Sequence, residues 1–115
     1  MHPGDRAGAR WGHRMVHFLD GLTNEMVLFG SGQPGPLNDV YLFTGDVLAG
    51  AWTPWTPPPL QVLPSARCCM LWVTDPVQNK ILMFGGGYLP VPNSWGDTWS
   101  WAPVAGWVCQ ISPCS

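Results

Sequence analysis

The chain has 115 residues, enough for one small domain, and 46% of them are apolar, with 8 tryptophans. Charge is sparse: 5 Lys and Arg against 7 Asp and Glu leave a net of −2 and no basic stripe, which argues against phosphate-driven nucleic-acid binding. The 14 glycines and 13 prolines approach the content of disordered chains, yet the aromatic residues supply ample surface to bury, so turn-rich β structure is expected.

Taken from the N-terminus, residues 1–9 are polar and glycine-rich and read as a loose leading segment. Met1-His2-Pro3-Gly4-Asp5-Arg6 lacks the apolar core of a secretory signal, which points to the cytoplasm unless the chain is a fragment of a secreted protein. No run reaches the roughly 18 apolar residues that cross a membrane, so no membrane partner is expected. Arg10 opens a first unit over residues 10–55. Residues 12–18 read as its first strand, 19–24 as a turn around Asp20-Gly21, and 25–29 as a second strand that stops at Gly30. A loop over 30–38 carries two prolines, Gln33 and Leu37. Residues 39–43 form the third strand, with Tyr41 and Phe43 on one face by the period of two, and 51–55 the outer strand.

Residues 56–65 hold four prolines, three of them consecutive, which cannot pair in a sheet and read as a stiff link. A second unit over 66–111 has strands at 68–73, 80–84, 98–101 and 107–111, and its longest loop, 85–96, holds Tyr88, Leu89, Val91 and Trp95. Residues 112–115 are a tail. The expectation is all-β: eight strands in two four-stranded antiparallel sheets, with no helix.

The two units echo each other. Asn79-Lys80-Ile81-Leu82-Met83-Phe84-Gly85-Gly86-Gly87 matches Asn24-Glu25-Met26-Val27-Leu28-Phe29-Gly30-Ser31-Gly32, each a run too short for a helix that stops at glycines. Around them Arg10 aligns with Arg67, Asp20 with Asp75, Asp39 with Asp97 and Trp52 with Trp107, at offsets of 55 to 58 residues. A repeat of this length belongs to arrays whose units rely on neighbours to bury their faces. The order of Arg, glycine-terminated strand, Asp-led aromatic strand and Trp-led strand resembles the kelch repeat of kelch β-propellers and of the galactose-oxidase central domain. Asp97-Thr98-Trp99-Ser100-Trp101 is similar to its bacterial, tryptophan-rich form.

That resemblance implies two propeller blades of an incomplete ring, with Arg10, Arg67, Gly30, Gly85, Gly86, Asp39, Asp97, Trp52 and Trp107 as structural repeat positions. Arg10 and Arg67 are expected to support turns through backbone carbonyls, to which five fixed donors are suited. Asp39 and Asp97 are expected to accept loop N–H groups. His13 and His17, four apart on a presumed strand, share a face but lack further ligands, so no metal or other cofactor is expected. Cys68, Cys69, Cys109 and Cys114 are read as reduced thiols, with Cys68 or Cys69 joined to Cys109 or Cys114 as the oxidised alternative, because adjacent cysteines rarely bond.

The radical-copper site of the galactose-oxidase family needs two tyrosines, one cross-linked to cysteine, and two histidines. Only Tyr41 and Tyr88 are available here and the surroundings cannot be matched. No nucleophile–base motif, phosphate loop or carboxylate pair appears either. The functional expectation is therefore a non-enzymatic binding or scaffold module that meets a protein or glycan through blade-end loops, with Gln33, Leu37, Tyr88, Leu89 and Trp95 as contacts. The alternative is a fragment of a larger extracellular propeller linked to carbohydrate binding or processing. Two blades leave an open face on each side, expected to draw on Met15, Leu28, Tyr41, Phe43, Met83, Trp99 and Trp101. Self-association or missing sister blades would cover them.

Overall fold

The structure, a computed structural model, describes residues 10–20, 23–31, 37–45, 50–88, 93–111 and 114. The leading segment 1–9 lies outside these, and of the tail 112–115 only Cys114 is described. Among the described residues the chain is all-β and forms no helix. The first sheet joins β1 (Arg14–Asp20), β2 (Thr23–Ser31), β3 (Leu37–Thr44) and β4 (Ala51–Pro54), antiparallel and in that order. The second joins β5 (Leu71–Asp75), β6 (Lys80–Phe84), β9 (Thr98–Ala102) and β10 (Gly106–Ile111) in the same spatial order. Between β6 and β9, β7 (Gly87–Tyr88) and β8 (Asn93–Ser94) make a small hairpin within the stretch read as one long loop.

The sequence repeat is also a repeat of register. In the first sheet Phe29 sits opposite Val40, Leu28 opposite Tyr41, Val27 opposite Leu42 and Met26 opposite Phe43. In the second, Phe84 sits opposite Thr98, Met83 opposite Trp99, Leu82 opposite Ser100 and Ile81 opposite Trp101. The first strand of each sheet starts later than the expected residues 12 and 68, at Arg14 and Leu71. The cause is the left-handed backbone at Gly12 (φ 78°) and Cys69 (φ 67°), equivalent positions that interrupt the extended path. His13 thus precedes β1 instead of sharing a strand with His17. At its other end β1 runs to Asp20 opposite Thr23, so the 19–24 turn is tighter than expected.

The sheets stack face to face around one core. Phe18, Val27, Phe29 and Val40 from the first meet Trp72, Ile81, Met83, Trp99, Trp101 and Trp107 from the second, all buried. Phe29 has its ring centroid 5.4 Å from Trp72 and 5.1 Å from Trp107, and Phe18 lies 6.1 Å from Trp101. Trp72 also donates its indole N–H to the Val27 carbonyl at 3.1 Å, joining the sheets by a buried hydrogen bond. Burial of each such side chain contributes about 1.5–3 kcal/mol.

Register corrects half of the expected open faces. Met15, Leu28, Tyr41 and Phe43 do share the outer face of the first sheet, Leu28 buried between the Met15 and Tyr41 positions. Met83, Trp99 and Trp101 instead lie in the core, and the second sheet turns Leu71, Val73, Phe84 and Val108 outward. Equivalent positions point the same way in both sheets, so what faces out of the first faces inward from the second.

The cysteines differ from both sequence readings. Disulfides join Cys68 to Cys69 and Cys109 to Cys114. Cys68 and Cys69 precede β5, while Cys109 lies on β10 at the opposite edge of the sheet. Three interstrand spacings, about 14 Å, separate those edges, beyond the roughly 7 Å that a disulfide spans between Cα atoms.

The stacking makes a prediction at one repeat position. Phe29→Ala should cost about 3–5 kcal/mol in urea unfolding of dilute protein. Phe84→Ala, at the equivalent but half-exposed position, should cost about 1 kcal/mol or less. Equal losses would show that the covered face has been assigned to the wrong side of one sheet.

Candidate functional site

Two Arg–Asp forks mark corresponding corners of the sheets. Arg67 is wholly buried; its Nη1 and Nη2 donate to Asp97 Oδ1 and Oδ2 at 2.6 and 3.0 Å. Nη1 also reaches the Gly85 carbonyl at 3.0 Å, and Nε the Ser65 carbonyl at 3.0 Å. Asp97 in turn accepts the Trp99 indole N–H at 2.9 Å. Arg10 repeats the arrangement with Asp39 at 2.8 and 3.2 Å and with the Gly30 carbonyl at 3.5 Å. The carbonyl contacts of the arginines follow the sequence reading. The direct fork to each aspartate does not, since the sequence reading has those carboxylates accept loop N–H groups.

Each guanidinium also covers an aromatic ring, Arg10 over Tyr41 at 5.3 Å and Arg67 over Trp95 at 5.1 Å. Trp95 is therefore half-buried against the fork; its N–H donates to the Gly86 carbonyl at 2.8 Å. Gly30 and Gly86 let neighbouring chain approach closely. A Cβ at Gly30 (φ 84°) would lie 2.6 Å from the Arg67 carbonyl oxygen, and one at Gly86 (φ 92°) 2.6 Å from that of Cys68. Gly85 has the same left-handed backbone, at φ 75°.

Of the expected contacts, Gln33 and Leu89 lie outside the described residues, and Leu37 and Tyr88 are placed by backbone alone, at the starts of β3 and the end of β7. Trp52 is half-buried on the outer face of the first sheet, 5.1 Å from the Phe43 ring, whereas its counterpart Trp107 is in the core. His17 bonds Asn24 at 2.8 Å, and no group of three His, Cys, Asp or Glu gathers as a metal site among the described residues.

The structure adds a feature that the sequence did not suggest. A cleft of about 180 Å³ opens between β3, the link and β10, lined by Asn38, Asp39, Val40, Trp55, Pro57, Leu63 and Trp107. The link read as a spacer forms one wall because three hydrogen-bonded points hold it. Trp55 joins Val40 by its N–H at 2.8 Å and Pro103 by its indole at 3.0 Å. Gln61 accepts from Trp107 N–H at 2.7 Å and donates to the Ala105 carbonyl at 3.1 Å. Asn38 donates to the Pro64 carbonyl at 3.1 Å. The Asp39 side chain remains 39% exposed, so an aromatic and aliphatic recess carries one carboxylate and one amide. Aromatic walls with a few placed polar groups are the usual make-up of a small recognition pocket. The one signal in the sequence is Trp55 directly before a link that carries Leu60, Val62 and Leu63.

Among known proteins, no family model matches the chain, and no curated protein matches its sequence.

The two forks differ in exposure, and so should their contributions. Asp97→Ala leaves a buried guanidinium without its counter-charge and should destabilise by about 3–5 kcal/mol. Asp39→Ala, at a partly solvated fork, should cost about 1 kcal/mol. Urea midpoints of the two variants measure the difference, and a larger loss at Asp39 would reverse the ranking.

Proposed function

We propose that the protein is a non-enzymatic binding module built from two kelch-type propeller blades, recognising a partner protein at the cleft and through the hairpin that precedes Trp95. The observation that carries this reading is the cleft itself, a recess between the first sheet, the link and β10 with Trp55, Leu63 and Trp107 beside Asp39 and Asn38. An aromatic anchor or an aliphatic side chain from a partner fills such a recess, and a partner amine or amide meets the carboxylate. The kelch assignment is supported by the doubled Arg, glycine-stop, Asp and Trp order and by the matching registers of the two sheets. A glycan ligand is the second reading, favoured by the same pairing of tryptophan rings with carboxylate and amide.

A photo-reactive residue at position 63 should cross-link a partner protein, while one at position 77, in the exposed turn between β5 and β6, should not. Equal cross-linking at both positions, or none at 63, would overturn the protein-binding reading. Saturable quenching of tryptophan fluorescence by monosaccharides at millimolar concentration would favour the glycan instead.

A further inference from the structure

Among the described residues each sheet has one face packed against the other sheet and one outer face turned away from it, and the two outer faces are different. The second sheet turns Val73, Leu82, Phe84 and Val108 outward, at the repeat positions that Val16, Val27, Phe29 and Thr53 occupy on the inward side of the first. The first sheet turns Met15, Leu28, Tyr41, Phe43 and Trp52 outward, at the positions of Trp72, Met83, Trp99, Trp101 and Trp107 in the core. The covered interface is therefore a template for both open faces. Each open face carries the positions that the other one's counterpart already packs against.

The open faces are also apolar where they are most exposed. Phe84 is 51% exposed and Met15 49%; Leu71 lies opposite Phe84 on β5, and Val108 lies two strands away on β10, beyond Thr98 and Ser100. Leu71, Val73, Leu82 and Phe84 form a contiguous apolar patch across β5 and β6, and such a patch marks an interface. We propose that the open face of the second sheet docks on the open face of the first sheet in a second copy of this chain, head to tail. In the covered interface Phe29 lies against Trp72 and Trp107. At the new one Phe84 lies against Met15 and Trp52 of the next copy, the residues at those same repeat positions. A two-fold pairing would set the outer face of the second sheet against its own copy, and nothing in the covered interface resembles that. A head-to-tail contact leaves each added copy with a free face, so assembly continues until a ring closes at a discrete size.

Light scattering on the purified chain tests this, with one charge placed on each open face. The unaltered chain should form a discrete assembly larger than its 12.6 kDa. Phe84→Asp and Met15→Asp should each give a cooperatively melting monomer, the buried charge weakening association at least about 100-fold. Mixed in equal amounts, the two should form a species of two chains, because each variant keeps the face that the other has lost. Should either variant fail to melt cooperatively, Val73→Lys or Leu19→Asp replaces it on the same face and is read in the same way. An unaltered chain that stays monomeric at tens of micromolar overturns the proposal. So does polydisperse material, which would mean that something other than a second copy covers these faces. Folded variants that remain monomeric when mixed would exclude the head-to-tail geometry.

Discussion

Arg67 has no contact with water, and much of the second sheet follows from that. A guanidinium carries five donors in a fixed plane and cannot shed its charge, so burying it demands acceptors on several sides. Three separate segments of the chain supply them: the Ser65 carbonyl at the end of the link, the Gly85 carbonyl after β6, and the Asp97 carboxylate immediately before β9. One charge thus ties the entry to the sheet, the end of its second strand and the start of its third. Because the carboxylate meets the fork edge to edge, Asp97 is held in place, and with it the phase of β9. That phase turns Trp99 and Trp101 into the core. The looser fork of Arg10 and Asp39 does the same for Tyr41 and Phe43 on the outside of the first sheet.

Side-chain size follows the same parity. The inward side of the second sheet holds four tryptophans, Trp72, Trp99, Trp101 and Trp107, where the first sheet's outward side holds Met15, Tyr41, Phe43 and Trp52. The outward side of the second sheet is smaller and partly polar, with Thr98 and Ser100 in place of Val40 and Leu42. Ser100 is nevertheless buried, and its hydroxyl accepts the Gln110 amide at 2.8 Å. The largest rings therefore sit where two sheets meet, and ring pairs at 5.1 to 6.1 Å gain from edge and offset contacts beyond the area they bury.

The strands were legible because the signals were local: apolar runs cut by Gly30 and Gly85, and an Asp heading each aromatic strand. What was not legible depended on distance or on backbone angles that letters do not encode. Cys69 adopts a conformation normally left to glycine, so β5 starts later than its letters suggest. The repeat showed which residues share a face but not which way the faces point, since that depends on the direction of stacking. Hence the sequence alone puts Met83, Trp99 and Trp101 outside, whereas stacking buries them. The link looked like a spacer because its proline content is a local property, whereas Gln61 finds its partners more than 40 residues away. The cleft arises from those distant contacts, so no single stretch announces it.

The cleft is also unlike a loop site in its stiffness. Trp107 forms part of its wall, yet the same ring lies 5.1 Å from Phe29, 5.7 Å from Trp72 and 6.1 Å from Trp99. Opposite it, Trp55 is held by hydrogen bonds at both its backbone and its indole, and its ring packs 5.5 Å from Trp101. Neither wall can move without disturbing the core that the two sheets share. A recess formed this way loses little conformational freedom when it is filled, which favours affinity for a small anchor over adaptation to many. It also makes recognition depend on both sheets at once, because β10 supplies one aromatic wall and the residue after β4 supplies the other.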